Sequence, residues 1–118
     1  MNWIFVFIGG GLGSLARFGM SKALPYKQGF PWATFWSNLL ACVVFALVLY
    51  FSPKIAKTDW LHPFLLAGFC GGFSTFSTSS FENFQLLSNG HYSIFALNVL
   101  VSIVAGIAVF ALVLRLNP

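Results

Sequence analysis

The chain has 118 residues, 58% of them hydrophobic and only 7% charged, with a mean hydropathy of +0.87. An average soluble domain carries roughly 25% charged residues, so water is a poor solvent for this chain and a lipid bilayer is the expected one. The apolar character runs from end to end, which a cleaved signal peptide does not explain. The net charge of +4 comes from six Lys and Arg against two acidic residues, mostly at the edges of apolar runs. There they snorkel and anchor, and they form no basic face suited to DNA or RNA.

A bilayer core of about 30 Å asks for roughly 20 apolar residues per helical crossing. Four such runs follow one another. The first covers about residues 3–24, and Pro25, Gly29 and Pro31 mark its connection to the second, at about 31–51. Pro53 then stops the helix, because proline cannot continue one. A polar linker from Lys54 to Asp59 leads to a third run at about 63–87, with Pro63 suited to a first helical turn. Ser88-Asn89-Gly90 is a turn signal, and the fourth run occupies about 92–114 before Arg115. The expected fold is a single all-α membrane domain of four transmembrane helices, antiparallel because the loops are short.

Lys and Arg in short flanking loops usually fix orientation. One side holds Lys54, Lys57 and Arg115, the other Lys22 and Lys27 with Arg17 close by, so the bias is nearly nil. A chain without preferred orientation can insert both ways, which makes an antiparallel, dual-topology dimer possible. Four helices in so short a chain also enclose a water-lined path poorly, so a transport role implies a dimer or larger.

Within the first run, Gly11-x-Gly13-x-x-Ala16 mimics a dinucleotide fingerprint, but no βαβ unit surrounds it. Gly9-x-x-x-Gly13 reads better as small residues four apart that let two helices approach closely. Arg17 near the end of that run either snorkels to the interface or draws anions into a vestibule. Asn38 in the second run either packs helices or offers an amide to a pore. Cys42 and Cys70 lie inside apolar runs and act as small apolar residues, with neither a disulfide nor a metal site expected.

The third run is the most informative. Gly71-Gly72 is followed by Ser74, Thr75, Ser77, Thr78, Ser79 and Ser80, and glycine weakens a helix while hydroxyls compete for its carbonyls. The expectation is a helix broken near Gly71 to Thr75 at mid-membrane, tolerated there only if buried in protein or lining a cavity. A kinked helix with hydroxyls bonded to their own backbone is the alternative. The fourth run places Asn98, Ser102 and Gly106 four apart, as a polar stripe that suits either a desolvating anion or a helix interface.

The glycine-rich start ending in Arg17, the mid-span Asn38 and the Gly71-Gly72-Phe73-Ser74-Thr75-Phe76-Ser77-Thr78 run closely resemble the Fluc (CrcB) family of fluoride channels. The likeness covers almost the whole chain. It implies an antiparallel homodimer in a bacterial inner (plasma) membrane, with two passive pores that export fluoride and relieve its toxicity. It also implies a structural Na+ on the two-fold axis, held by the backbone carbonyls of Gly71 and Ser74, with Ser74 standing where threonine is usual. Asn38 matches the pore amide, Phe76 the first of two phenylalanines that meet fluoride through their ring edges, and Ser102 a hydroxyl on the polar track; Thr75 and Arg17 complete the implied pore set. Ser79 stands where the second phenylalanine is expected and Asn98 where tyrosine is common.

Two other classes compete. A small multidrug-type exporter needs a carboxylate in the first span, and no Asp or Glu occurs between Met1 and Tyr50. A non-transporting membrane scaffold would have no use for a broken, hydroxyl-rich helix. The chain carries no catalytic constellation, since Asp59 and Glu82 lie near span ends without a His or Ser partner evident in the sequence. It does not read as an enzyme.

Overall fold

In the computed structural model, residues 2–26, 29–51 and 60–115 are described. Pro53, the linker from Lys54 to Asp59, and Lys27 lie outside them. Helices joined by short turns make up the described residues, among which there is no strand. In chain order the elements are α1 (Asn2–Ala23), α2 (Trp32–Tyr50), a π-helical α3 (Pro63–Cys70), the single turn α4 (Gly71–Phe73), α5 (Ser77–Ser88) and α6 (Tyr92–Arg115).

Among the described residues, three helices are individually long and apolar enough to cross a membrane: α1, α2 and α6, of 22, 19 and 24 residues. At about 1.5 Å per residue each reaches or approaches the roughly 30 Å of a hydrocarbon core. The run at about 63–87 is built differently. It is divided among α3, α4 and α5, none of which is long enough to cross alone.

Backbone contact sets the core. Gly9 and Gly13 are the buried residues of α1, and a methyl group on either would collide with backbone of α3 at Phe64 or Phe69. Gly68 and Gly72 approach α1 just as closely, against Val6 and Gly10. The Gly9-x-x-x-Gly13 reading is therefore borne out: four glycines, paired at a spacing of four, let α1 lie on α3–α4 backbone to backbone. On the other side Cys70 and Phe73 pack with Ala41 of α2. α2 in turn lies along α6, while α5 packs against α6 across the turn at Asn89–Gly90, where Gly90 takes φ 77°. Lys22 at the end of α1 lies over the Phe18 ring, 5.2 Å from its centre, an amphipathic placement for a residue at a membrane surface.

At 51 × 33 × 20 Å the chain is thin. With helices about 10 Å across, it is two helices deep. Its outer face is strongly apolar, with Leu100, Ile103 and Ile107 of α6 and Trp3 and Phe7 of α1 all exposed.

Candidate functional site

Helical geometry stops at Ser74, whose ψ of 158° is extended, and resumes at Ser77. A helix interruption strands backbone groups that must find other partners, and here side chains from other elements take them. Asn38 of α2 meets Thr75 with both ends of its amide: Thr75 N–H donates to Asn38 Oδ1 at 2.7 Å, and Asn38 Nδ2 donates to Thr75 O at 3.4 Å. The Thr75 hydroxyl accepts from Thr78 N–H at 3.2 Å, capping the first turn of α5. Arg17 of α1 donates from Nε to Gly72 O at 3.3 Å. The carbonyls of Gly71 and Ser74 would ordinarily accept from Thr75 and Thr78, four residues on; both N–H groups are committed to side chains instead.

Ser74 spends its hydroxyl on Cys70 O at 2.7 Å. Its carbonyl and the hydroxyl's lone pairs are what it has left to offer a ligand. Gly71 and Ser74 line one open cavity of about 180 Å³ beside Ala41, Cys42 and Phe110.

A second, smaller cavity of about 30 Å³ brings Asn38 and Ser102 together, with Phe35, Cys42 and Gly106 completing its wall. That is room for one water-sized occupant. Gly106 keeps it open, since a methyl group there would sit 3.5 Å from Cys42 Sγ. Ser102 Oγ donates to Asn98 Oδ1 at 3.3 Å, and Asn98, 3% exposed, donates to Asn83 Oδ1 of α5 at 2.7 Å.

A third cavity, of about 90 Å³, lies toward the α1–α2 connection, where Arg17 and Tyr26 share it with Thr34, Ser37, Thr78 and Glu82. Thr34 donates to Glu82 Oε2 at 3.0 Å. Ser37 Oγ and Glu82 Oε1 are buried without a protein hydrogen-bond partner among the described residues. Burial, and then the Glu82 carboxylate, raise the Tyr26 phenol above its ordinary pKa.

A family model described as "CrcB-like protein, Camphor Resistance (CrcB)" matches residues 4–114. This chain belongs to the CrcB family. Among its relatives, a protein of Bacteroides fragilis named "Fluoride-specific ion channel FluC" is 38% identical over 109 residues, 88% of this chain and 86% of its own. Proteins of the same name from Azobacteroides pseudotrichonymphae and Pyrococcus abyssi are 42% and 39% identical, over 87% and 88% of this chain and 85% of each relative. With family and helices together, the chain is a multi-pass membrane protein.

The fold thus brings Asn38 and Ser102 to one small cavity, bonds the Thr75 backbone to Asn38, joins Asn98 to Ser102, and sets Gly71 beside Ser74. Ser79 is half-buried on α5, one turn beyond Phe76. Phe76 stands apart, 87% exposed at the interruption. The sequence marks out neither Asn83 nor Thr34, and it marks Cys42 only as a small apolar residue. For Asn83 a partial signal existed: it and Asn98 are equidistant from the turn at Gly90–His91, which sets them at one height in a hairpin of α5 and α6, while their facing comes from the packing. Thr34 and Cys42 carry no such local mark, because their partners come from distant segments.

Proposed function

We propose that this chain is one subunit of a fluoride-selective passive channel that exports fluoride, with the cavity between Asn38 and Ser102 as an ion station. The observation that carries the reading is that cavity: about 30 Å³, polar on two sides and walled by Phe35 and Cys42. Fluoride is close to water in size and strongly hydrated, so a pore must replace its water with donors, none binding so tightly that the ion cannot leave. Arg17 at the larger polar cavity supplies a cation that draws anions toward the path, while Asn38, Thr75, Asn98 and Ser102 supply amide and hydroxyl groups along it. The relatives' printed name supports the same ion.

The working unit is an antiparallel homodimer. A subunit two helices deep leaves the path open on one side, and a phenylalanine ring exposed beside polar backbone needs a cover of protein. Phe76 then turns its electropositive ring edge to the ion from the subunit boundary, and Ser79 takes the place of a second ring with a hydroxyl. The interrupted third passage lies at mid-membrane, where unwound backbone is tolerated only inside protein or on a cavity. Na+ fits the carbonyls of Gly71 and Ser74, because both have lost their helical donors to side chains and such carbonyls are ordinary sodium ligands. Bound there, it would tie the two copies together by offsetting the repulsion between the oxygen ends of converging carbonyl dipoles.

The channel reading is tested by efflux from liposomes holding the purified protein. Fluoride should leave and chloride should not. Gly106→Ala, whose added methyl makes only ordinary contact with Cys42, should lower fluoride efflux severalfold while the protein stays folded, because it fills the cavity. A folded protein that passes no fluoride would return the chain to the scaffold class; passage of a cationic dye would favour the exporter class, against which the absence of acid in α1 and α2 already stands.

A further inference from the structure

Where α5 folds back along α6, three polar side chains form one directed run of hydrogen bonds. Ser102 Oγ donates to Asn98 Oδ1, and Asn98 Nδ2 donates to Asn83 Oδ1. Asn98 is 3% exposed, so its amide cannot fall back on bulk water. Ser102 is also the member of the run that reaches the small cavity shared with Asn38. A hydroxyl has one proton. With that proton spent on Asn98, Ser102 offers only lone pairs to the cavity, the wrong polarity for an anion.

We infer that Asn83 is a positioning residue that sets the direction of this run, and so decides whether the Ser102 proton faces the cavity. The inference rests on reading the cavity as an anion station. An amide carries its donor and its acceptor on a planar group that a half-turn exchanges. Turning Asn83 and Asn98 together reverses every bond: Asn83 Nδ2 donates to Asn98 Oδ1, Asn98 Nδ2 donates to Ser102 Oγ, and the Ser102 proton is released. The number of hydrogen bonds within the run is the same in both directions. An anion in the cavity adds one more to the second direction only, so its arrival shifts the population toward the donating form and its departure lets the run relax. Two amides in series are what make this possible. Ser102 thereby donates when an ion is present and stays satisfied when none is.

The test measures fluoride efflux from liposomes as a function of fluoride concentration for the unmodified chain, Asn83→Leu and Asn83→Asp, with chloride as control and the assembled state of each checked by size exclusion. Leucine offers neither donor nor acceptor, so one Asn98 group must go unpaired; a buried N–H is left orphaned more rarely than a carbonyl, so Asn98 turns Nδ2 to Ser102 and frees the serine proton for the cavity. Half-saturation should fall, with a lower maximal rate. An ionised aspartate only accepts, which pins the run in the observed direction; half-saturation should rise by at least about fivefold, the scale of one hydrogen bond. Opposite shifts from two substitutions at one position are not produced by a loss of packing. A rise with aspartate but no change with leucine would reduce Asn83 to a site of charge repulsion and overturn the inference, as would two unchanged curves. Should Asn83→Asp fail to assemble, the direction of the leucine shift still decides; should Asn83→Leu fail, Asn83→Ala, which also lacks donor and acceptor, takes its place. If the unmodified chain passes no fluoride, the channel reading fails first, and that outcome is distinct from all of these.

Discussion

Asn38 does two jobs that one residue rarely combines. Its amide pairs with both backbone groups of Thr75 and also lines the small cavity with Ser102. A side chain with only a donor or only an acceptor would leave half of the Thr75 backbone unpaired, at about 1–3 kcal/mol for each buried group abandoned. Asn38→Ala should therefore lower the thermal unfolding midpoint of the detergent-purified protein by several degrees, whereas Ser80→Ala, at an exposed position on α5, should leave it unchanged. An unshifted midpoint in Asn38→Ala would mean that the interruption is held by Arg17 and the Thr75 cap alone. Nothing local in the sequence joins Asn38 to Thr75, which lie 37 residues apart. The amide could be noticed as out of place in an apolar run, but its partner could not be read.

At the scale of elements, the close-approach face of α1 was legible because its cause is periodic, whereas its partner in α3–α4 was not. Glycines four apart mark one face of a helix, and Gly9 with Gly13 answers Gly68 with Gly72. Only the pairing of the two faces is tertiary. The claim separates glycines sharply: a methyl group at Gly13 meets the Phe69 carbonyl and lies 2.8 Å from Phe73 N, whereas at Gly11 it meets nothing within 4 Å. Gly13→Ala should abolish or severely reduce the yield of folded protein, since backbone on both sides leaves little to repack and even ordinary overpacking costs about 1–3 kcal/mol. Gly11→Ala should be neutral or slightly stabilising, as alanine is favoured over glycine in helices by about 1 kcal/mol. Equal yields in the two variants would show that α1 slides along α3 to make room. The third passage was legible in composition but not in detail. Glycine and hydroxyl content marks a poor helix, yet whether an unpaired carbonyl meets Arg17, and whether an amide or a hydroxyl claims a freed N–H, depends on side chains that only packing brings near.

For the whole molecule, the exposed ring of Phe76 and the depth of two helices bear on how copies meet, and charge bears on which way each copy points. With four crossings as proposed, the sequence order assigns Lys54, Lys57 and Arg115 to one side and Lys22 and Lys27 to the other, with Arg17 near the second. So small a difference gives the insertion machinery little reason to prefer either orientation. Both orientations in one membrane are what an antiparallel pair requires. A cysteine placed at Asn89, exposed in the turn between α5 and α6, reports orientation through labelling by a membrane-impermeant thiol reagent added outside intact cells. Cys42 and Cys70 lie within apolar helical runs, and the chain without the added cysteine gives their background. About half of the Asn89→Cys molecules should react from outside, and nearly all once the membrane is dissolved. Adding Lys54→Gln and Lys57→Gln leaves Arg115 alone on its side, so the side of Lys22, Lys27 and the α5–α6 turn becomes cytoplasmic and outside labelling should fall toward zero. Fluoride efflux should fall with it, because uniformly oriented copies cannot pair head to tail. Complete or absent labelling in the chain with balanced charge would mean that one orientation prevails. Any dimer would then be parallel, and the exposed face around Phe76 would have to be covered by a copy facing the same way.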